Sequence, residues 1–162
     1  MAETITLRHL GPDDLELLLR VEEGLFDNPV RADQAALFLD DPLHEMVLAL
    51  SGAQVVGMAS GQVLYHPDKP PAFFINEVGV RDAFQRRGIA TKLCAAIKEI
   101  AEARGCEGIW IATEADNVAA RGLYRSMDAR ETTGIVVYDW DDRAMDGSGG
   151  SVIHRHSLNQ RQ

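Results

Sequence analysis

The residues best suited to chemistry lie in a short basic turn, Gln85-Arg86-Arg87-Gly88-Ile89-Ala90, between a predicted strand and a predicted helix. Backbone amides in the first turn of a helix have no partners within the helix, and the helix dipole adds partial positive charge there. Gly88 lets the backbone approach a ligand closely, while Arg86 and Arg87 add full positive charges. The pattern therefore predicts a binding site for a phosphate or pyrophosphate group.

The elements on either side must hold this turn in place. Phe73–Val80 is typical of a buried strand, and the apolar spacing after Gly88 predicts an amphipathic helix to Arg104, which Gly105 ends. The sequence contains neither a G-x-x-x-x-G-K loop nor a G-x-G-x-x-G turn after a strand. The two usual nucleotide-binding fingerprints are therefore excluded.

The remaining pattern predicts a chain in which helices and strands alternate. The short apolar segment Ile109–Thr113 is expected in the middle of a covered sheet. The other predicted elements are strand Ile5–Leu10, a helix capped by Asp13 or Asp14, helix Arg31–Leu39, strands Glu45–Leu50 and Gln54–Tyr65, helix Asn117–Met127 and strand Ile135–Trp140.

Length and composition fit one globular domain. The 162 residues are 46% hydrophobic and 25% charged, which suffices for a buried core. No apolar stretch is long enough to span a bilayer, and the N-terminus lacks the pattern of a signal peptide, so we expect no membrane partner and a cytoplasmic protein. We expect the domain to cover residues 1–142, and residues 143–162, with their Gly-Ser-rich run, to form a flexible tail.

Charge and cysteine content narrow the classes of partner. The formal net charge of -9 argues against nucleic acid and favours a cationic substrate. Cys94 and Cys106 match no metal-binding spacing, and we interpret both as small apolar residues of the core. No metal site is expected.

Two segments together resemble a known family. Gln85–Ala90 is similar to the Gln/Arg-x-x-Gly-x-Gly/Ala signature of the GNAT superfamily of acetyl-coenzyme A dependent N-acetyltransferases, and Asn117–Tyr124 resembles its Asn-x-x-Ala-x-x-Leu-Tyr segment downstream. The resemblance covers Ile5 to about Asp142. It implies an α/β GNAT fold: a twisted mixed sheet with helices on both faces.

The resemblance also implies a reaction and a cofactor, acetyl-coenzyme A. A neutral amine attacks the thioester, so the site must take a proton, stabilise an oxyanion and protonate a thiolate. In the family the turn binds the coenzyme A pyrophosphate, and the strand before it binds the pantetheine arm through its backbone. The implied cofactor-binding residues are Val78, Gly79, Val80, Gln85, Arg86, Arg87, Gly88, Ile89, Ala90, Thr91, Asn117 and Tyr124.

Two residues are candidates for proton transfer. Tyr124 matches the family tyrosine that acts as general acid, and a phenol can protonate a departing thiolate. Glu77 stands in an apolar strand, where a carboxylate can serve as the base, directly or through water. Asn117 is either a ligand of the pantetheine arm or an ordinary helix N-cap, and both roles can hold.

Aminoglycoside 3-N-acetyltransferases resemble the chain most in their acidic positions. They share an acidic residue at the position of Glu77, another near Glu114, a run related to Arg86–Thr91, and an aromatic-Asp-apolar ending, here Tyr138-Asp139-Trp140. Aminoglycosides carry several positive charges, so their recognition requires several carboxylates. The implied substrate-binding residues are Glu77, Glu114, Asp116, Asp139, Asp141 and Asp142.

Other functions stay open beside this one. Ribosomal-protein N-terminal acetyltransferases resemble the chain at Asn117–Tyr124, but they carry a catalytic glutamate where this chain has Ala112. Polyamine acetylation and a non-catalytic coenzyme A sensor are further alternatives. We predict an acetyltransferase of a cationic small molecule, an aminoglycoside of 3-N type in antibiotic resistance. A homodimer is compatible with the resemblance, because dimers are common in the family.

Overall fold

The computed structural model describes residues 3–140. They form a mixed sheet of five strands with four α-helices. The strands are β1 Ile5–His9, β2 His44–Ser51, β3 Gln54–Leu64, β4 Ala72–Val80 and β5 Gly108–Trp110. The helices are α1 Leu15–Leu19, α2 Ala32–Asp40, α3 Ile89–Ala103 and α4 Val118–Ser126.

The sheet has the order β1-β2-β3-β4-β5, and each strand is antiparallel to its neighbour except β5, which runs parallel to β4. The connection between parallel strands needs a crossover, and α3 supplies it. The predicted mixed sheet with helices on both faces is confirmed, because α3 packs on one face while α1 and α2 pack on the other.

Alternation along β2 shows how the two faces are built. Val47 and Ala49 belong to the core under α3, while Met46 and Leu48 belong to the core under α1 and α2. Successive side chains of a strand point to opposite faces, so a strand covered on both sides is apolar at nearly every position. This is why β2 and β3 are buried along almost their whole length.

Two irregularities of β4 shape the centre of the sheet. The register between β3 and β4 pairs Ser60 with Glu77 and Gly61 with Ile75, which leaves Asn76 as the extra residue of a β-bulge. On its other edge β4 pairs with β5 only from Ala72 to Phe74. From Ile75 to Val80 that edge of β4 has no strand partner in residues 3–140.

Gly61 permits the close approach of β3 and β4 beside the bulge. A Cβ atom at this position would lie 2.3 Å from the ring of Phe73 and 2.7 Å from the carbonyl oxygen of Phe74. Phe73 is fully buried, so its ring has no room to withdraw. A glycine is therefore required by packing.

Two expectations for the C-terminal part of the sheet are wrong. Among the described residues, the segment at Ile109 forms a strand of three residues at the edge of the sheet rather than in its middle. Ile135–Trp140 forms no strand in the described chain, although its residue types favour one, because a strand requires a ladder of hydrogen bonds to a neighbour. The expected tail, residues 143–162, lies outside the described residues.

The segment after α4 is attached to the helix by an ion-pair cluster. The Glu131 carboxylate accepts hydrogen bonds from Arg121 at 2.7 Å and from Arg125 at 2.9 Å. These two guanidinium groups, Arg121 first, lower the pKa of Glu131 from 4.5 to about 2.

Replacing Gly61 with alanine is expected to destabilise the fold by about 1–3 kcal/mol, the usual cost of overpacking a core. Thermal and urea unfolding of the variant will measure this loss. Gly11→Ala is the matched control, because a Cβ there meets nothing within 4 Å. Equal stability of the two variants would contradict the packing account.

The Glu131 cluster predicts a direction of pH dependence. A lowered folded-state pKa stabilises the fold above the ordinary value of 4.5, and this contribution is lost as the pH falls toward about 2. Carbon-13 NMR of the Glu131 carboxyl should show titration well below pH 4.5, and Arg121→Gln should move the midpoint upward. A midpoint near 4.5 in the parent chain would show that the cluster does not form.

Candidate active site

The turn between β4 and α3 has the backbone geometry of an anion site. Arg86 and Gly88 both adopt left-handed conformations, with φ of 62° and 75°. Gly88 is the N-cap of α3, and no side chain of residues 3–140 caps the helix there. The first turn of α3 contains no acidic residue. The partial positive charge of its free amides and of the helix dipole is therefore not neutralised by a carboxylate in that turn.

The side chains of the turn have two roles: one stabilises the turn through hydrogen bonds, and two are exposed positive charges. Gln85 donates from Nε2 to the Val80 carbonyl at 3.3 Å and to Asp82 at 3.1 Å, so it braces the turn. Arg86 and Arg87 are exposed, and the Arg87 guanidinium lies 5.0 Å from the centre of the Phe84 ring. The turn thus combines a hydrogen-bonded backbone with two exposed positive charges.

The first turn of α3 is anchored in the core on one side and exposed on the other. Ile89 is buried in the core under the helix, which anchors the first turn. Ala90 is half-buried and Thr91 is exposed. The amides of this turn can therefore bind an anion without moving the helix.

At the end of β4 a ligand can contact the backbone, because the side chains of Val78 and Val80 point into the core. Val78 and Val80 bury their side chains in the core under α3, and β3 pairs with only one edge of the strand. Gly79 lies on the opposite face, where a Cβ would be 3.8 Å from the Leu25 carbonyl oxygen. The second edge can therefore bind an extended ligand by adding hydrogen bonds to its amides and carbonyls.

Glu77 lies in a cleft on the face covered by α1 and α2. The cleft has a volume of about 250 Å³. Its walls come from β2, β4, both helices and the segment between the helices, and its lining residues are Leu18, Phe26, Asp27, Asn28, Pro29, Val30, Arg31, Gln34, Ala35, Phe38, Met46 and Glu77. Asp27 is a second carboxylate of the cleft, and the one sequence signal at this position is the following Asn-Pro, which indicates a loop.

Arg81 fixes the segment between α1 and α2 that forms one wall of this cleft. Its guanidinium donates to the carbonyls of Val55 at 2.7 Å, Glu22 at 2.7 Å and Glu23 at 2.8 Å. Gly24 follows with φ of 98° and turns the chain beside the guanidinium. One residue at the end of β4 thus joins β3 to the segment leading to Phe26 and Asp27.

Tyr124 on α4 packs against the core that contains Val78 and Val80. Its hydroxyl is buried, and it has no hydrogen-bond partner in the part of the chain that is described. Burial, and secondarily the neighbouring Cys94 thiol, raises the pKa of Tyr124. The phenol is therefore protonated throughout the physiological pH range.

The other residues that the sequence predicts for the site do not gather around the cleft of Glu77. Asn117 caps α4, because its Oδ1 accepts from the Ala120 amide at 3.0 Å, and its backbone amide donates to Glu114. Glu114 is half-buried, whereas Asp116 and Asp139 are exposed, and none of the three lines the cleft of Glu77. Asp141 and Asp142 lie outside the described residues.

The two cysteines have the environment of core residues. Both are free and buried, and burial raises the pKa of the Cys94 thiol to about 12. Within residues 3–140 no cluster of His, Cys, Asp and Glu could hold a metal ion. No helix in that range is long and apolar enough to cross a membrane.

Comparison with known families identifies the class of protein. The sequence model of the acetyltransferase (GNAT) family matches residues 13–128. This match includes α1 to α4, the basic turn and Tyr124. The chain therefore belongs to the GNAT family, and it is an acetyl-coenzyme A dependent N-acetyltransferase. A sequence comparison with curated proteins finds no match.

Solved structures share the fold at low sequence identity. An aminoglycoside acetyltransferase from an uncultured soil metagenomic sample superposes with a TM-score of 0.72 at 23% identity, covering 85% of this chain and 99% of the other. The aminoglycoside acetyltransferase AAC(6')-Iy with a bisubstrate analogue gives 0.72 at 19% identity, with coverage of 85% and 99%. A ribosomal-protein-alanine N-acetyltransferase from Brucella melitensis biovar Abortus 2308 gives 0.67 at 18% identity, with coverage of 85% and 100%.

The contacts of Arg81 predict how the cleft wall responds to mutation. In Arg81→Lys the forked set of donors is lost while the charge remains, so the amides of residues 22–28 should exchange hydrogen at least about tenfold faster. Hydrogen exchange followed by mass spectrometry measures this change. Arg20→Lys is the control, because within residues 3–140 the Arg20 side chain makes one hydrogen bond, of 3.3 Å, to the carbonyl of Glu16 in the adjacent helix. Unchanged exchange in Arg81→Lys would show that other contacts hold the wall.

Proposed function

We propose that this acetyltransferase modifies an amino group of a cationic, aminoglycoside-type molecule. The observation that carries the proposal is the position of Glu77, in a cleft lined by apolar side chains, two carboxylates and Arg31, beside the part of β4 that β5 does not pair. A carboxylate there lies on the strand whose free edge suits the cofactor, so the amine and the acetyl donor can meet.

The chain fits acetyl-coenzyme A along β4 and its turn. We assign the pyrophosphate to the uncapped first turn of α3, Ile89 to Thr91, with Gly88, Arg86 and Arg87 around it. The pantetheine arm would take the unpaired backbone edge from Val78 to Val80, which runs toward this turn. Gln85 supports the turn, and Asn117 supports Tyr124 by capping α4.

The cleft suits part of an aminoglycoside. Phe26 and Phe38 offer apolar faces for a sugar ring, while Asp27 and Glu77 offer carboxylates for ammonium groups. The volume of about 250 Å³ lies just below the usual range of about 300–1,000 Å³ for small-molecule sites, so we assign it one amino-bearing ring. The exposed Asp116 and Asp139, with Glu114, would attract the remaining charges from outside the cleft, as the net charge of -9 does at longer range.

Two groups would manage the protons. The acetyl thioester supplies an activated acyl group when the cofactor is bound. Glu77 would take a proton from the substrate ammonium, directly or through water, so that the neutral amine can attack the thioester, and Tyr124 Oη, protonated at neutral pH, would donate a proton to the departing sulfur. The hydroxyl of Tyr124 fits this role, because no group within residues 3–140 accepts a hydrogen bond from it.

The nitrogen that is acetylated and the biological role are separate predictions. The resemblance in sequence favours a 3-N type, whereas AAC(6')-Iy, a neighbour in structure, carries a 6' designation. We retain 3-N acetylation, resistance to the antibiotic and a cytoplasmic location as predictions. NMR of the acetylated product will assign the nitrogen.

Free-thiol release with acetyl-coenzyme A tests the function directly. The amines to compare are a gentamicin-type and a kanamycin-type aminoglycoside, spermidine, and a peptide with an N-terminal alanine. We expect turnover with an aminoglycoside and little with the others, because only it combines a ring with several charges. Turnover restricted to the peptide would replace this proposal with protein acetylation, and cofactor binding with no turnover would favour a sensor.

Two variants test the proton chemistry. Tyr124→Phe should lower kcat by about 10²- to 10⁴-fold, the usual contribution of a general acid. Its thermal stability should stay unchanged, since the lost hydroxyl has no partner in the described chain. Tyr65→Phe is the matched control on an exposed tyrosine. A full kcat in Tyr124→Phe would remove this residue from the mechanism.

Glu77→Gln should lower kcat most at acidic pH, where deprotonation of the amine depends on a base. The measurement is the pH profile of kcat, with Glu99→Gln, on the exposed side of α3, as control. An unchanged profile would show that Glu77 is not the base.

A further inference from the structure

A row of side chains crosses the sheet beside the cleft of Glu77. The strand register pairs Trp110 of β5 with Phe74 of β4. It also pairs Phe74 with Gln62 of β3, and Gln62 with His44 of β2. Side chains of residues that are paired across neighbouring strands lie on the same face of a sheet. These four side chains therefore follow one another across four strands. We call Trp110, Phe74 and Gln62 the platform.

The platform lies on the face of the sheet that carries α1, α2 and Glu77. The neighbouring pair, Phe73 and Ile109, packs in the core under α3. Because successive side chains of a strand alternate, Phe74 and Trp110 point to the other face. Among the described residues, the core under α1 and α2 takes its strand residues from β2 and β3. That core therefore does not extend over β4 and β5, and Trp110 remains 51% exposed.

The platform and the cleft are neighbours on this face. The β3 partners of Glu77 and Phe74 are two residues apart, which corresponds to about 7 Å along the strand. Trp110 is one strand further, about 5 Å across the sheet. At the other end of the row, His44 lies beside Phe38 of the cleft wall, with ring centres 5.1 Å apart. A molecule of two rings can therefore occupy the cleft and the platform at once.

The platform has the chemistry of a subsite for an amino sugar ring. Trp110 packs against Phe74 with ring centres 4.3 Å apart, which restricts the indole while its outer side stays open to solvent. An aromatic face buries the apolar side of a saturated ring and attracts an ammonium group attached to that ring. Gln62 is half-buried, and its amide supplies a donor and an acceptor for hydroxyl groups.

The small size of the cleft leaves the rest of the substrate to be placed. Its volume of about 250 Å³ holds one amino-bearing ring. We propose that the platform binds the next ring of the same substrate, by stacking on Trp110 and hydrogen bonding to Gln62. This inference rests on the proposed function, since it concerns where a second ring of that substrate lies. It makes Trp110 a specificity residue that separates amino sugars of two or more rings from single-ring amines and linear polyamines.

Kinetics with amines of different size test the platform. The substrates are neamine, which has two rings, and the two separate rings that compose it. In the parent chain KM should be at least about tenfold lower for neamine than for either single ring. Trp110→Ala should raise the KM of neamine about tenfold, the scale of one stacking and cation–π contact. Its kcat, and the KM of the single rings, should stay unchanged, because the reacting ring does not touch the platform.

Two further variants and one control support this comparison. Trp110→Phe should keep most of the affinity, because it retains an aromatic face, and Gln62→Ala should raise the KM of neamine while the aromatic pair stays in place. Trp140→Ala is the matched control, because Trp140 is a 92% exposed tryptophan outside the sheet. Thermal unfolding of all four variants will show that each remains folded.

Tryptophan fluorescence gives a readout that is independent of turnover. The chain has two tryptophans, so Trp110 is the one that remains in Trp140→Ala. With coenzyme A present, neamine should change the emission of Trp110 saturably, and the single rings should not. Acetylation of neamine with an unchanged KM in Trp110→Ala, or with unchanged emission at saturation, would overturn the inference and leave the proposed function standing. Failure to acetylate any aminoglycoside would overturn both.

Discussion

The structure depends on the early end of the pairing between β4 and β5. The two parallel strands share hydrogen bonds only from Ala72 to Phe74, while β4 continues to Val80. Within residues 3–140, the six residues from Ile75 to Val80 therefore have no strand partner on this edge, although backbone groups inside a sheet are normally paired. The chain belongs to a family that uses acetyl-coenzyme A, and this edge is the part of the sheet that an extended cofactor arm can complete.

The packing of α3 against the sheet stabilises β4, although part of its edge has no strand partner in residues 3–140. Leu93 and Ile97 are fully buried against β3 and β4, and each such side chain contributes about 1.5–3 kcal/mol through burial. A Cβ at Gly57 would lie 2.9 Å from Leu93, which shows how closely the helix approaches the sheet. The helix therefore packs against one face of β4, and the N-terminus of the helix lies near the end of this edge of the strand. The same contacts that stabilise the core place the proposed anion site at the end of the strand.

Local patterns in the sequence predicted the parts of the fold that local chemistry determines. The basic turn before α3, the burial of β4 and the cap at Asn117 follow from residue types and short spacings. The place of β5 at the sheet edge and the missing strand at Ile135–Trp140 depend on which partner is near, and no short pattern contains that information. Asp27 and Arg81 were missed for the same reason, because their roles arise where β4 meets the distant segment after α1.

The most direct test of this account is the binding of coenzyme A followed by amide NMR. The account predicts that the amides of Gly88 to Thr91 and Val78 to Val80 shift on saturation, because the pyrophosphate and the pantetheine arm would bind them. The amides of β1 and β2, on the far side of the sheet, should stay in place. Binding that leaves the amides of β4 and the first turn of α3 unshifted would contradict the central claim that the unpaired edge is the cofactor site.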